Sequence, residues 1–262
     1  MIFNTVNFTI FGIPPYFFCA VIGLVIAVWL NIALISFKKY CLQEHMKVLI
    51  ISVISLLVFA KIFGCLSGIY RAIGEGEPIS FDTIKNTGIV FYGGLFGLLF
   101  AYYFGIKSKL ITNKDSAAID ILAVSIPLFH AIARIGCFLA GCCYGIECDC
   151  FLSVNYTIMD NGIVNTANRI PVQLIEAFFN IAIFVYLFAL IKKENWKNKR
   201  ILLRYIIIYS CGRFLLEFIR GDSVRGVIWG VSFSQMISVV IWLVVLLTFI
   251  KRKKLKTKEN KI

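Results

Sequence analysis

The sequence predicts an all-α integral membrane protein with about seven transmembrane helices, the amino terminus outside and the carboxyl terminus in the cytoplasm. Hydrophobic residues make up 60% of the 262 and mean hydropathy is +0.86, where a soluble domain is nearer half apolar. Windows near residues 15–36, 47–66, 88–105, 117–139, 172–191, 201–219 and 231–250 each approach the about 20 mostly apolar residues that a helix needs to cross a bilayer core. The basic residues gather in alternate connections, which sets the orientation.

Before span one, no Lys or Arg precedes Lys38. That start lacks the charged region of a cleaved secretory signal, so the first span is expected to stay in the mature protein. Lys38, Lys39 and Lys47 lie between spans one and two, and Lys107, Lys109 and Lys114 between three and four. Lys192, Lys193, Lys197, Lys199, Arg200 and Arg204 lie between five and six. Lys251, Arg252, Lys253, Lys254, Lys256, Lys258 and Lys261 follow span seven. These nineteen of the 27 Lys and Arg share one side. The net charge of +13 is therefore read as an orientation signal that meets anionic headgroups, with no nucleic-acid partner. Non-membrane stretches remain near 66–87 and 140–171, so the chain divides into one transmembrane domain, 1–250, and a basic cytoplasmic tail, 251–262.

The other eight basic residues are Lys61, Arg71, Lys85, Arg134, Arg169, Arg213, Arg220 and Arg225. A charge at the bilayer centre costs about 2.5–3.5 kcal/mol on insertion scales, so such residues face polar cavities or one another. The competing reading for an arginine near a helix end is snorkelling to the headgroups. In "YSCGRFLLEFIRGD", Tyr209, Arg213 and Glu217 recur at i, i+4, i+8, and Arg220 follows Glu217 by three. That spacing puts all four on one helix face, a polar stripe between flanking Phe and Leu that implies a polar cavity inside the bundle. In span five, "RIPVQLIEA" opens on Pro171, which suits a helix start, and puts Gln173 and Glu176 on one face. A carboxylate in hydrocarbon is neutral or paired, and an arginine from another helix is the expected partner. Span four ends in His130 and Arg134, also i, i+4. With His45 placed in a cytoplasmic loop, His130 is the embedded imidazole, read either as a hydrogen bonder between helices or as a catalyst. Gly93, Gly94 and Gly97 in "FYGGLFG", and Gly136, Gly141 and Gly145 after Arg134, either let helices approach closely or line a substrate cleft.

These segments, in this order, resemble the prolipoprotein diacylglyceryl transferase family. "FTIFGIPPYFFCAVIG" is similar to its first span and "FYGGLFG" to its His-Gly-Gly segment. "AIARIGCFLAGCCYG" resembles its signature, Gly-Arg-x-Gly-Asn-Phe-x-Asn-x-Glu-x-x-Gly. "IPVQLIEA", "GRFLLEFIRGD" and "GVSFSQMISVV" resemble its Pro-Ser-Gln-Leu-Tyr-Glu, Arg-Phe-x-x-Glu-Phe-x-Arg and Gly-Leu-Ser-x-x-Gln elements. The chain departs from the pattern at Ala133, Cys137, Ala140 and Cys142 in the signature, and at Tyr92 in place of the histidine.

The resemblance implies a multi-pass bacterial enzyme of the cytoplasmic (inner) membrane. It would move a diacylglyceryl group from phosphatidylglycerol to the lipobox cysteine of a secreted precursor, releasing glycerol phosphate. Its partners would be phosphatidylglycerol, prolipoprotein signal peptides and membrane lipids, with no metal and no cofactor. Arg134 and Arg213 would grip phosphate, Glu217 and Glu176 would orient them, Tyr209 would donate a hydrogen bond, and His130 or Tyr92 would stand in for the family's histidine. Gly93, Gly94, Gly136, Gly145, Gln173 and Arg220 complete the expected substrate contacts. The alternatives are the same fold with another donor or acceptor, and a non-catalytic membrane protein that binds lipid or peptide; the paired interrupted helices of a transporter are not seen.

Five of the nine cysteines cluster: Cys137, Cys142, Cys143, Cys148 and Cys150. The spacing is not a standard zinc pattern. Small-residue packing, a disulfide joining Cys142 or Cys143 to Cys148 or Cys150, and a metal site all remain open. Cys19, Cys41, Cys65 and Cys211 read as packing residues.

Overall fold

The computed structural model describes residues 2–4, 9–76, 78–81, 87–108, 110–111, 117–160, 163–193, 200–222 and 227–259. Lys85, Lys109, Lys114, Lys197, Lys199, Arg225 and Lys261, which entered the charge argument, lie outside the described residues. The chain is a mostly helical membrane protein. Its long helices are α1 (Pro15–Phe37), α2 (Leu42–Glu75), α3 (Phe91–Lys107), α4 (Ala117–Leu139), α5 (Val172–Lys193), α6 (Ile201–Leu216) and α7 (Phe233–Glu259). Five of these, α1, α2, α4, α5 and α7, are long and apolar enough to cross a membrane.

Helix α4 is the centre of the bundle. Of its apolar window 72% is buried, against 17% for α7, and it packs on α1, α5 and α6. Helices α2 and α3 pair with each other, and α7 lies on α6. The buried core gathers Leu30, Ile35, Val48, Tyr102, Ile121, Leu187 and Tyr205 from most of these helices. Large apolar side chains such as Trp29, Phe178 and Leu247 point outward, as they must where hydrocarbon is the solvent.

The structure adds to the sequence reading in three places. Helix α2 runs on to Glu75 and closes on Gly76 in the left-handed region, φ 71°, so the expected loop near 66–87 begins later. His45 is in the first turn of α2, not in a loop; it is buried, stacked on Tyr40 and bonded through Nδ1 to the Cys41 carbonyl at 2.9 Å. The non-membrane stretch 140–171 carries a small sheet. It holds strands β2 (Val154–Asp160) and β3 (Ile163–Arg169), antiparallel with Tyr156 opposite Ala167. Strand β1 (Ile2–Asn4) joins β2 in parallel. Alternation of Val154 and Tyr156 with Asn155 and Thr157 is the period of a strand, too short to register in a window sized for membrane helices. A two-residue ladder, β4 (Val227–Ile228) with β5 (Val231–Ser232), precedes α7.

Candidate active site

The carboxyl ends of α4 and α6 and the amino ends of α5 and α7 meet at one end of the bundle, and the charged side chains converge there. Glu176, one turn into α5, is the hub. Its Oε2 accepts from Arg134 Nε at 3.0 Å and from Arg213 Nη1 at 3.2 Å. Its Oε1 accepts from the Tyr209 hydroxyl at 3.4 Å and lies 3.5 Å from His130 Nε2. That imidazole nitrogen is also 3.2 Å from Arg134 Nε, and the ring stacks on Phe91 with centroids 3.8 Å apart. Arg213 continues the chain of charges: Nη2 is 2.8 Å from Glu217 Oε2 and donates to Ser234 Oγ at 3.4 Å. All of His130, Arg134, Glu176, Tyr209, Arg213 and Glu217 are buried.

Burial dictates this arrangement. A buried charge without a partner is expensive, and removing one member of a buried pair costs about 3–5 kcal/mol. Two guanidinium groups and two carboxylates from α4, α5 and α6 with its following turn therefore hold one another. The expectation that Glu176 pairs with an arginine of another helix is met twice. The stripe of Tyr209, Arg213 and Glu217 also stands, with Glu217 one turn beyond Arg213.

Arg220 departs from that stripe. Helix α6 stops at Leu216, a 3-10 turn covers Glu217–Ile219, and Arg220 is extended with ψ 139°. It forms a two-pronged pair with Asp222, Nε to Oδ1 at 2.8 Å and Nη2 to Oδ2 at 2.6 Å. Asp222 was not anticipated, although it sits in the same quoted segment. Burial opposes the charge of Arg220, but Cys143 and Asp222 outweigh it and raise its pKa. The local backbone explains its place: residues 144–146 thread between 170 and 219–221, with Gly145 N on Ile170 O at 3.0 Å, Ile146 N on Ile219 O at 3.0 Å and Gly221 N on Tyr144 O at 3.0 Å.

The glycines expected at substrate lie close against neighbouring segments. A Cβ on Gly93 would stand 2.5 Å from the Phe59 carbonyl, and one on Gly94 would touch Leu56 and Ala60, all on α2. Gly136 faces Cys19 of α1, and a Cβ on Gly145 would stand 2.5 Å from the Ile170 carbonyl. Gln173, also expected at substrate, donates to the Cys142 carbonyl at 2.7 Å and ties α5 to the loop after α4. Tyr92 stands outside the charge cluster; its hydroxyl shares a 2.8 Å hydrogen bond with Ser238 of α7, while its ring meets Tyr209 edge-on. Sequence reasoning also missed Ser234 and gave Arg169 no partner; the buried Arg169 pairs with Glu147 at 2.7 Å over the Tyr144 ring.

A cleft of about 260 Å³ opens beside the cluster, lined by Glu217, Phe218, Val227, Gly230, Ser232 and Gln235. It runs between the 3-10 turn and the β4–β5 ladder, so Glu217 borders both the cleft and Arg213. Cys148 is bonded to Cys150, a pairing that was not among the alternatives, one of which joined Cys142 or Cys143 to Cys148 or Cys150. The turn after α4 directs Cys142 and Cys143 back toward Cys137, whereas the ribbon from 146 onward follows β3, with Cys148 N on Asn168 O at 3.0 Å.

The family described as prolipoprotein diacylglyceryl transferase matches residues 4–251. The chain is 30% identical over 236 residues to the phosphatidylglycerol–prolipoprotein diacylglyceryl transferase of Clostridium tetani, covering 89% of this chain and 91% of that protein. It is 29% identical over 265 residues to the enzyme of that name from Enterococcus faecalis, covering 96% and 91%. It is 30% identical over 244 residues to phosphatidylglycerol–prolipoprotein diacylglyceryl transferase 2 of Clostridium perfringens, covering 88% and 89%.

Proposed function

This chain belongs to the prolipoprotein diacylglyceryl transferase family, and from that premise we propose that the cluster around Glu176 is where it grips a lipid phosphate. The chain is an enzyme that transfers a diacylglyceryl group from phosphatidylglycerol to the lipobox cysteine thiol of a prolipoprotein. A sulfur–carbon bond forms, the glycerol carbon–oxygen bond to phosphate breaks, and its electrons leave with glycerol phosphate. Stabilising the negative charge that grows on that phosphate is the main electrostatic task.

The observation that carries the site is the convergence of Arg134 from α4 and Arg213 from α6 on one buried carboxylate. Each guanidinium offers a planar fork that matches phosphate oxygens, and the buried setting strengthens each contact over its value in water. Glu176 and Glu217 orient the forks, and the Tyr209 hydroxyl is a further donor to phosphate or glycerol. The four formal charges of Arg134, Arg213, Glu176 and Glu217 cancel. A proton passed from the incoming thiol to one of these carboxylates leaves the cluster net positive as the leaving phosphate turns more negative. Glu217, which borders the cleft, is the carboxylate assigned to take it, and the thiolate is the nucleophile. His130, held between Arg134, Glu176 and Phe91, positions the first arginine.

The reading includes seven spans within one transmembrane domain, 1–250, and a basic tail, 251–262. Helices α3 and α6, of 17 and 16 residues, are about 25 Å long and span with help from their flanking turns. The basic connections support an amino terminus outside, a carboxyl terminus in the cytoplasm and a cluster in the outer half of the cytoplasmic membrane. There it meets phosphatidylglycerol and prolipoprotein signal peptides. A reporter fused at residue 155 is expected outside; a cytoplasmic signal reverses the topology.

The test of the site uses purified protein, phosphatidylglycerol and a lipobox peptide, with glycerol phosphate measured. Arg134→Lys and Arg213→Lys each insert at normal abundance and turn over about 10–100-fold more slowly, the worth of one charge-assisted hydrogen bond in the transition state. Arg→Ala is slower still. Near-wild-type turnover by Arg134→Lys overturns the assignment, since a headgroup anchor needs only a point charge.

A further inference from the structure

We propose that Cys137, Cys142 and Cys143 form a three-thiolate site for one soft d10 cation of the zinc and cadmium class, beside the transfer site and bordering it at Arg134. Their Sγ atoms all lie within 4.8 Å of one another. Thiolates bound at about 2.3 Å to a common ion stand roughly 3.8–4.0 Å apart, so the loop has to draw in by no more than about an ångström. Among the described residues no other set of three His, Cys, Asp or Glu side chains meets in this way.

The backbone builds the cluster. Cys137 is in the last turn of α4. The chain then reverses, with Gly141 N on Phe138 O at 3.1 Å and Cys142 N on Cys137 O at 3.1 Å. Gly141 and Cys143 both take left-handed backbone, φ 68° and 61°. That conformation is uncommon for a residue with a Cβ, and here it turns the second of two vicinal cysteines toward the helix end.

The chemistry favours a soft ion. Three sulfurs and no carboxylate suit zinc-class metals and exclude magnesium and calcium, which take oxygen ligands. A divalent ion with three thiolates carries one net negative charge. Arg134 Nη1 lies 4.0 Å from Cys137 Sγ, so that charge has a cation beside it. The neighbouring Cys148–Cys150 bond leaves these three as free thiols. Cys137 is buried, whereas Cys142 is exposed, which gives an ion a way in and leaves a fourth position open.

The experiment titrates the detergent-purified full chain with cadmium, following the ultraviolet thiolate-to-metal band, and maps thiol protection against alkylation by mass spectrometry. One equivalent is expected to saturate the band and protect Cys137, Cys142 and Cys143 together, reversed by chelator. A Cys19, Cys41, Cys65 and Cys211→Ser variant and a Cys148 and Cys150→Ser variant should bind as the wild type does. Cys142→Ser and Cys143→Ser should each weaken binding more than about 10-fold, the least that losing even an outer-shell partner costs. The mapping on wild-type protein stands even where a variant fails to fold. Absence of the band, or protection that falls on other cysteines, overturns the proposal.

Discussion

Helices α2 and α3 meet through glycine. A Cβ on Gly93, Gly97 or Gly105 would stand 2.5 Å from the Phe59 carbonyl, the Ser55 carbonyl or Val48 Cγ1 respectively. Helices α4, α5 and α6 meet through charge, with Glu176 shared by Arg134 and Arg213. The first contact is close approach, held by dispersion and by the Ser55 hydroxyl donating to the Gly97 carbonyl at 2.9 Å, and it fails when anything is added. The second holds because each charge has a partner, and it fails when one is removed. In hydrocarbon the apolar effect cannot drive helices together, so both devices, small residues and polar pairs, are available. The difference teaches where to look for chemistry: only the second region presents groups whose interactions a substrate can exchange.

The sharpest break of this comparison is Glu176→Gln. Two buried arginines lose their shared counter-charge, and removing one partner of a buried pair costs about 3–5 kcal/mol. Membrane abundance and thermal stability in detergent should fall steeply, with transfer lost. A stable, active variant would mean that the arginines are solvated and the cluster is not a closed unit. Gly97→Ala comes next. Overpacking costs about 1–3 kcal/mol, so the melting temperature should drop while turnover per folded molecule holds; a fall in turnover at equal abundance would put the α2–α3 contact into the active site after all. The smallest effect belongs to Tyr92→Phe, at the border of the two regions. It removes a hydrogen bond to Ser238 worth about 0.5–1.5 kcal/mol, and turnover should stay within about threefold. A loss beyond about 100-fold would assign Tyr92 a proton-handling role and redraw the border.

The long apolar helices were legible because hydrocarbon leaves a chain few options: about 20 apolar residues and a helix that satisfies its own backbone. The pairing of Glu176 with an arginine was legible for the same reason, since an isolated carboxylate is not stable there. The i, i+4 face of Tyr209, Arg213 and Glu217 followed from helical geometry alone. What the spacing could not supply was where the helix stops. Arg220 continues the face on paper, but α6 ends at Leu216, and the extended backbone hands Arg220 to Asp222. The glycines were ambiguous because a missing side chain fits a cleft and a close contact equally; only the neighbours of the vacant Cβ position decide. The strands of 154–169 were hidden by a search scaled to membrane spans.

By itself the sequence determined the solvent, the helices that meet it and the residues that had to find a counter-charge, because those follow from local composition and from the cost of burial. Tertiary structure alone decided which partners met. Arg134, Glu176 and Arg213 come from three helices, and Cys143 joins Cys137 only through left-handed turns at Gly141 and Cys143. Such meetings depend on helix ends and on loop dihedral angles, which are set by contacts distant in the chain and leave no periodic trace in it.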